Sequence, residues 1–319
     1  MNHLFIINPK AGKIDRTDEL KIRIERLMAK RKETYRVAIT EHPKHATEIV
    51  RKVASDGDHW RVYACGGDGT LNEVVNGAIG LENVEITHYP CGTGNDFVKL
   101  FGRHMSRFYS LEELADGESM EFDLIECMDK YSINICSVGF DARIAGDVHI
   151  FSKFPYVKPY TAFTLSAGYN LFKGISRRYR VQVDGEQLDG DYSLLVCANS
   201  RFYGGGYNPV PDADPTDGIL DFLLVKKASV FQVATLIKKY SEGRYRELSD
   251  LILHRRGRSM TIDCGPGGDE VNIDGEVYKC EKVTMQLSRH RIKFFAPKGS
   301  FDFFVKKNKV YESKRKYNR

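Results

Sequence analysis

Three glycine-bearing loops, each directly after a short apolar run, constrain the fold of this chain more than any other feature. They are residues 8–12 (NPKAG), 66–70 (GGDGT) and 91–96 (CGTGND). Between them, residues 18–31, 44–55 and 71–79 carry apolar side chains at helical spacing. Alternating strands and helices predict a doubly wound parallel sheet. Because the carboxyl ends of such strands share one edge, we expect the loops to meet there, with Thr40 from the second strand.

Loops of this composition are typical of anion binding. Glycines let the backbone approach a phosphate closely and turn N–H groups toward it. Thr70 and Glu73 match a capping box, which predicts a helix that begins at Thr70, and residues 93–96 repeat the pattern. Asp68 would repel a phosphate unless Mg²⁺ or a substrate hydroxyl lies between them. We interpret the loops as a site for a nucleoside triphosphate with magnesium.

Two familiar phosphate motifs are absent from these loops. Gly12 and Lys13 are followed by Ile14 rather than Ser or Thr, so there is no Walker A sequence. The GGDGTLN stretch lacks the third glycine of a dinucleotide fingerprint.

The pattern changes after residue 122. Apolar residues alternate with polar ones in several short runs, and Asp-Gly pairs in between predict hairpins. Longer helical stretches interrupt them at 156–175 and 229–240. We therefore predict an α/β domain at 1–122, with 297–319 packing back on it, and a β-rich domain at 123–296.

Two acidic segments of the second half have more than one interpretation. In residues 203–222, Asp214 and Asp217 with a nearby main-chain carbonyl suit a hard cation, or they form an ordinary Asp-Gly turn. In residues 272–276 (NIDGE), Asp274 and Glu276 either belong to a hairpin turn or act chemically.

Composition narrows the class of protein. The net charge of the 319 residues is only +5, with 48 basic and 43 acidic side chains, which argues against a nucleic-acid-binding protein. Seven cysteines, an odd number without a Cys-x-x-Cys pair, are typical of a reducing cytosol. No apolar stretch is long enough to span a bilayer. We expect a cytoplasmic protein.

The order of these motifs resembles one family. NPKAG, GGDGT-LNEV and CGTGNDF, followed by YGGG, PDA, TDGILD and NIDGE, look like the bacterial diacylglycerol kinase-like lipid kinases, which are related to sphingosine and ceramide kinases. The resemblance runs from residue 4 to residue 296. NAD kinases carry a loop similar to GGDGT, but CGTGNDF and the PDA…DG segment separate this chain from them.

The resemblance implies an NAD kinase-like N-terminal domain and a C-terminal β-sandwich that holds the lipid, with the active site in the cleft between them. It implies that Glu276 accepts the proton, with Asp274 as the alternative base, and that Asp68 positions the magnesium–nucleotide. It implies a Mg²⁺ held by Asp214, Asp217 and the carbonyl of Ile219, although Pro215 departs from the family pattern and leaves the ligand set open. The implied ATP contacts are Asn8, Pro9, Lys10, Ala11, Gly12, Thr40, Gly66, Gly67, Asp68, Gly69, Thr70, Leu71, Asn72 and Thr93.

The implied activity is transfer of the γ-phosphoryl group of ATP to a lipid hydroxyl, with diacylglycerol as the default acceptor. The alternatives are a kinase of another acceptor, as in NAD kinases, and a non-catalytic nucleotide-binding module at a membrane. Aromatic and lysine residues in 152–174 fit either contact with the inner face of a membrane or a helix that covers the sandwich. A homodimer is left open.

Overall fold

The computed structural model describes residues 1–151, 166, 169, 170 and 174–302. The chain divides into two compact units. The first contains Met1–Leu124, Asp214–Asp217 and the described residues from Arg289 onward. The second contains Ile125–Ala213 and Gly218–Ser288.

The first unit is built on a sheet of six strands among the described residues. The strands are β1 (Asn2–Ile7), β2 (Thr34–Ile39), β3 (Trp60–Gly66), β4 (Val84–Pro90), β5 (Glu118–Phe122) and β18 (Ile292–Ala296). Their order in the sheet is β2-β1-β3-β4-β18-β5. The pairs from β2 to β18 are parallel, and β5 is antiparallel to β18. The chain continues from β1 to β2 on one side of β1, and then from β2 to β3 on the other side of β1. A switch point therefore lies between β1 and β3, where ligands bind in open α/β sheets.

Helices of the first unit bury the apolar faces that the sequence predicts. The α-helices are α1 (Thr17–Arg31), α2 (His45–Ala54), α3 (Asp68–Ala78) and α4 (Leu111–Ala115), and a 3₁₀ segment covers Phe97–Tyr109. In α1 the buried positions Leu20, Ile24 and Leu27 recur every three or four residues, which places them on one face of the helix.

Strand β18 corrects the predicted domain boundary. We placed residues 292–296 in the second domain, but β18 lies in the first sheet, where Phe294 pairs with Ile86 of β4. Phe294 also stacks on Phe122 with ring centroids 5.4 Å apart. An alternating apolar pattern predicts a strand but does not specify which sheet it joins. The predicted return of the tail falls at 297–319, of which 303–319 lie outside the described residues.

The second unit is a β-sandwich. Its strands are β6 (Ile125–Cys127), β7 (Lys130–Ser132), β8 (Ile135–Gly139), β9 (Arg177–Val183), β10 (Glu186–Gln187), β11 (Gly190–Ala198), β12 (Leu220–Lys226), β13 (Ile252–Gly257), β14 (Ser259–Asp263), β15 (Asp269–Ile273), β16 (Glu276–Cys280) and β17 (Lys282–Leu287). One layer holds β8, β11, β12, β13, β15 and β16, and the other holds β6, β7, β9, β10, β14 and β17. A short pairing of β9 with β11 joins the layers. Apolar side chains of both layers, including Val138, Val181 and Met285, form one buried core.

The second unit has two α-helices with described bounds and a 3₁₀ helix at Tyr245–Leu248. Helix α5 (Phe140–Phe151) follows β8, and α6 (Val230–Ser241) begins with a capping box between Ser229 and Gln232. The helix predicted at 156–175 and the aromatic stretch at 152–174 lie almost entirely outside the described residues. Among the described helices, none combines the length and apolar character needed to cross a membrane.

Gly77 sets how closely α2 and α3 approach. A Cβ atom at this position would lie 2.8 Å from Val50 Cβ and 2.9 Å from the Thr47 carbonyl oxygen. We expect Gly77→Ala to lower the free energy of unfolding by about 1–3 kcal/mol, because overpacking outweighs the better helix propensity of alanine. Urea titration measures this change, and an unchanged or higher midpoint would contradict the close approach.

Candidate functional site

The structure brings the three glycine loops together within the first unit. A Cβ atom added to Gly92 would lie 2.5 Å from the Cα of Gly67, so these two backbones touch. A Cβ atom on Gly12 would overlap the carbonyl oxygen of Cys91. The side-chain amide of Asn8 donates to Thr70 Oγ1 at 3.0 Å. The expected convergence at one edge of the sheet is therefore observed.

Backbone hydrogen bonds continue the strand pairing into these loops. Asn8 N–H donates to the carbonyl of Cys65 at 3.0 Å, and Thr40 N–H donates to the carbonyl of Ile7 at 2.9 Å. Thr40 therefore lies beside the first loop, as the sequence predicted. The N–H groups of Cys91 and Gly92 both donate to the carbonyl of Gly66, at 2.7 and 3.2 Å.

Asp68 begins α3, two residues before the predicted start at Thr70. Gly67 is the N-cap residue, in extended conformation and without a side-chain cap. The Asp68 carboxylate accepts N–H groups of the neighbouring loop, from Asp96 at 2.7 Å and from Phe97 at 3.3 Å. Asp68 therefore ties the GGDGT loop to the CGTGND loop.

The predicted capping box of Thr70 and Glu73 is absent. Glu73 instead accepts the N–H groups of Lys44 at 2.8 Å and Ala46 at 3.1 Å, at the start of α2. The sequence spacing of Thr70 and Glu73 fits a capping box, but the Glu73 carboxylate accepts hydrogen bonds from backbone N–H groups at the start of α2 instead. Glu73 thus links α3 to the segment that follows Thr40.

The second predicted capping box, at residues 93–96, is also wrong. Asn95 adopts a left-handed conformation with φ of 47°, and its side chain bonds both the N–H and the carbonyl of Gly92. Asp96 is the N-cap residue of the 3₁₀ segment and pairs with Lys99 at 2.5 Å. Thr93 is exposed at the tip of this loop.

Most of the predicted nucleotide contacts belong to this cluster of loops. Lys10, Gly12, Gly69 and Thr93 are exposed, whereas Leu71 is buried beneath the loops. Sequence reasoning gave no role to Asn95 or Lys99, and it gave Asp96 only the capping role that the structure does not show. The CGTGND motif indicates that the polar residues of this loop have a function, but the sequence does not specify which groups they bond in the folded loop.

The loop that contains Asp214 and Asp217 belongs to the first unit. The buried Asp214 accepts the N–H of Thr216 at 3.1 Å and its hydroxyl at 2.6 Å. The carbonyl of Pro215 accepts the N–H of Asp123 at 2.6 Å. Arg291 holds Asp123 at 2.9 Å. Residue 215 therefore anchors the loop through its main-chain carbonyl, and Asp214 and Asp217 carry oxygen atoms of the kind that Mg²⁺ prefers as ligands.

Ile219, the source of the predicted carbonyl ligand, lies in the second unit directly before β12.

Asp274 and Glu276 lie at one hairpin turn of the second unit but have different surroundings. Asp274, with φ of 47°, accepts bonds from Ser132 Oγ at 2.7 Å and from the N–H groups of Ile133 and Ile135, each at 3.0 Å. These bonds give Asp274 a structural role, which disfavours it as a base. Glu276 is exposed and accepts a hydrogen bond from Tyr278.

A cluster of metal-binding side chains that we did not predict occurs at His42, His45 and Glu48. The two imidazoles stack with an angle of 12° between their planes. Imidazole lone pairs lie in the ring plane, so nearly parallel rings do not direct them at one cation. His45 Nδ1 also accepts the N–H of Glu41 at 3.0 Å. We therefore assign no metal to this cluster.

The contacts of Glu73 generate a stability prediction. Glu73→Ala removes the acceptor for two backbone N–H groups at the start of α2, so we expect a loss of about 1–2 kcal/mol in unfolding free energy. Glu73→Gln keeps one acceptor oxygen and should lose less. Denaturant titrations of both variants measure the difference, and equal stability of wild type and Glu73→Ala would contradict the assignment.

Comparisons with known proteins agree with the architecture. Residues 2–127 match the model of the diacylglycerol kinase catalytic domain, and residues 134–295 match that of the YegS C-terminal NAD kinase beta sandwich-like domain. A Staphylococcus epidermidis protein named "Putative lipid kinase" is 30% identical over 232 residues, covering 71% of this chain and 73% of its own length. A Staphylococcus carnosus protein of the same name is 26% identical over 238 residues, covering 72% and 75%.

Solved structures share the fold. A diacylglycerol kinase from Bacillus anthracis superposes with a TM-score of 0.66 at 20% identity, covering 92% of this chain and 96% of that one. An NAD kinase from Archaeoglobus fulgidus in complex with ATP gives 0.51 at 14% identity, covering 96% and 98%. With its NAD kinase-like first unit and its β-sandwich second unit, the chain belongs to the diacylglycerol kinase-like family of lipid kinases.

Proposed function

We propose that this protein transfers the γ-phosphoryl group of ATP, with Mg²⁺, to the hydroxyl of a lipid alcohol, and that diacylglycerol is the default acceptor, giving phosphatidic acid. The observation that carries the proposal is the meeting of three glycine loops and the N-terminus of α3 at one edge of a doubly wound sheet. A triphosphate has the charge and length to use such a set of loops.

The start of α3 would hold part of the phosphate chain. N–H groups of the first turn, at Asp68, Gly69 and Thr70, have no carbonyl four residues earlier within the helix to bond. They also lie at the positive end of the helix dipole. Lys10 and Lys13, both exposed on or next to the first loop, add positive charge. This arrangement favours a polyanion over a neutral ligand.

Asp68 would act from the same place as a fixed negative charge. One carboxylate oxygen is held by the N–H groups of Asp96 and Phe97, which leaves the group oriented rather than free to rotate. Asp68 would position the magnesium–nucleotide and the attacking hydroxyl. Bound Mg²⁺ would neutralise charge on the phosphates, and Asp214 and Asp217 would hold a separate, structural ion.

Glu276 would accept the proton of the lipid hydroxyl. Its exposed carboxylate is an acceptor that can reach a substrate, whereas Asp274 is occupied by three donors. Tyr278 donates to Glu276, and the pKa of Tyr278 is raised by burial and by this carboxylate, so the phenol keeps its proton. Phosphoryl transfer needs such a base together with positioning and charge neutralisation.

The names of the relatives support a lipid acceptor. Two competing functions remain to be separated from it: a kinase of another acceptor, and a nucleotide-binding module without catalysis. Purified protein, ATP and Mg²⁺ are incubated with a panel of lipid alcohols and with NAD, and products are identified by mass spectrometry. We expect a phosphorylated lipid. Phosphorylation of NAD alone, or no product with any acceptor, would contradict the proposal.

Substitution of the two proposed catalytic carboxylates should separate chemistry from folding. Asp68→Asn keeps an oxygen acceptor for the Asp96 and Phe97 N–H groups but removes the charge, and Glu276→Gln removes the base. We expect each to lower kcat by about 100-fold or more with an unchanged circular dichroism spectrum.

Glu25→Gln is the control for this pair, because Glu25 is an exposed carboxylate of α1 to which the proposed mechanism gives no role. Its turnover should equal that of wild type. Normal turnover of folded Asp68→Asn would remove Asp68 from the mechanism.

A lipid substrate also predicts contact with a membrane surface. We expect the protein to sediment with vesicles that contain anionic lipid, and to release as salt screens the attraction. Vesicles of neutral lipid serve as the control. Equal sedimentation with both, independent of salt, would contradict electrostatic binding at the membrane.

A further inference from the structure

His88 is a buried histidine beneath the nucleotide loops to which the proposed mechanism gives no role. It lies on β4, opposite Ala64 of β3, and its side chain is fully buried. Its Nε2 atom is 3.0 Å from the carbonyl oxygen of Gly66, the first residue of the GGDGT loop. A histidine at this depth needs a partner for its polar atoms, and the loop supplies one.

The partner fixes the protonation state of the ring. A carbonyl oxygen only accepts, so Nε2 carries the proton and donates it. Burial lowers the pKa of His88, although the charge of Asp68 and the bond to Gly66 oppose this. The other ring nitrogen, Nδ1, is buried without a hydrogen-bond partner. A second proton there would create a buried, unpaired N–H, so the ring stays neutral.

The carbonyl of Gly66 is a shared acceptor. It receives the N–H groups of Cys91 and Gly92 as well as His88, so one oxygen connects β3, β4 and the CGTGND loop. The Gly66 carbonyl and the Gly67 N–H belong to one planar trans peptide and point in opposite directions. Holding the carbonyl therefore sets the direction of the Gly67 N–H.

Glycine itself restrains the backbone at this peptide less than any other residue would. Gly66 requires the absence of a Cβ, because one would overlap the side chain of Thr70. The residue that packing demands is thus the one with the least conformational restraint. His88 adds a side-chain donor on β4 to the two backbone donors that hold the Gly66 carbonyl.

We infer that His88 is a positioning residue for the nucleotide: by donating from Nε2 to the Gly66 carbonyl, it orients the GGDGT loop for phosphate binding. The inference rests on the proposed function, since it assumes that this loop binds ATP. It predicts that loss of the donor weakens ATP binding, and that a side chain with a similarly placed N–H restores it.

The test compares His88→Leu, which removes the donor, with His88→Gln, whose amide N–H2 can reach the same carbonyl. Thr87→Val is the matched control, because Thr87 is an equally buried neighbour on β4 whose hydroxyl has no partner. ATP affinity is measured by titration calorimetry with Mg²⁺ and without lipid. We expect about tenfold weaker binding for His88→Leu, from loss of one buried hydrogen bond. His88→Gln and Thr87→Val should stay within about threefold of wild type.

Steady-state kinetics with a lipid acceptor should separate His88→Leu from the other two variants in the same way. His88→Leu should raise the KM for ATP more than it lowers kcat, since a positioning residue for the nucleotide acts mainly through binding. Unchanged ATP affinity in folded His88→Leu, or equal weakening in His88→Gln and His88→Leu, would overturn the inference.

A measurement on the wild-type protein tests the bond between His88 and Gly66 directly. The ¹⁵N NMR spectrum of labelled histidine at pH 8, with the His88 signal assigned by its loss in His88→Gln, should show a neutral ring protonated at Nε2. A neutral ring protonated at Nδ1 would overturn the inference. Absence of ATP binding by the wild-type protein would refute the proposed function. The NMR spectrum would still show whether His88 donates to the Gly66 carbonyl.

Discussion

The structure of the first unit depends on direct contact between backbones where β3 and β4 end. Gly67 and Gly92 approach so closely that a Cβ atom on Gly92 would lie 2.5 Å from the Cα of Gly67. The carbonyl of Gly66 receives donors from the next strand and loop. This contact fixes the GGDGT loop against the CGTGND loop, and the N–H groups at the start of α3 have no partner within the helix and can serve a ligand.

Carboxylates inside the motifs act first as connectors. Asp68 binds the loop that follows β4, and Glu73 binds the segment that precedes α2. Together with Asn8 and Thr70, they join four separate stretches of the first unit. A motif residue can therefore hold the site in shape and still present charge to a ligand, which is how we interpret Asp68 in the proposed kinase.

The hairpin turn of the second unit illustrates how neighbours in sequence diverge in role. Asp274 occupies the left-handed turn position, where its carboxylate meets the strand β8, and three donors occupy it. Glu276, two residues later, begins β16 and stays exposed. The sequence left the choice of base open between them. The difference in hydrogen bonding favours Glu276 and follows from the geometry of the turn.

The sequence by itself determined the α/β alternation, the hairpins and the placement of glycine loops at strand ends, because these follow from local periodicity and backbone freedom. It also identified the family, through motifs in a fixed order. Only the tertiary structure decided that β18 joins the first sheet, that Glu73 caps α2 and that His88 reaches Gly66. Each of these features depends on a partner that is distant in the chain. Several partners are compatible with the local sequence pattern, and only packing in the folded protein selects one of them.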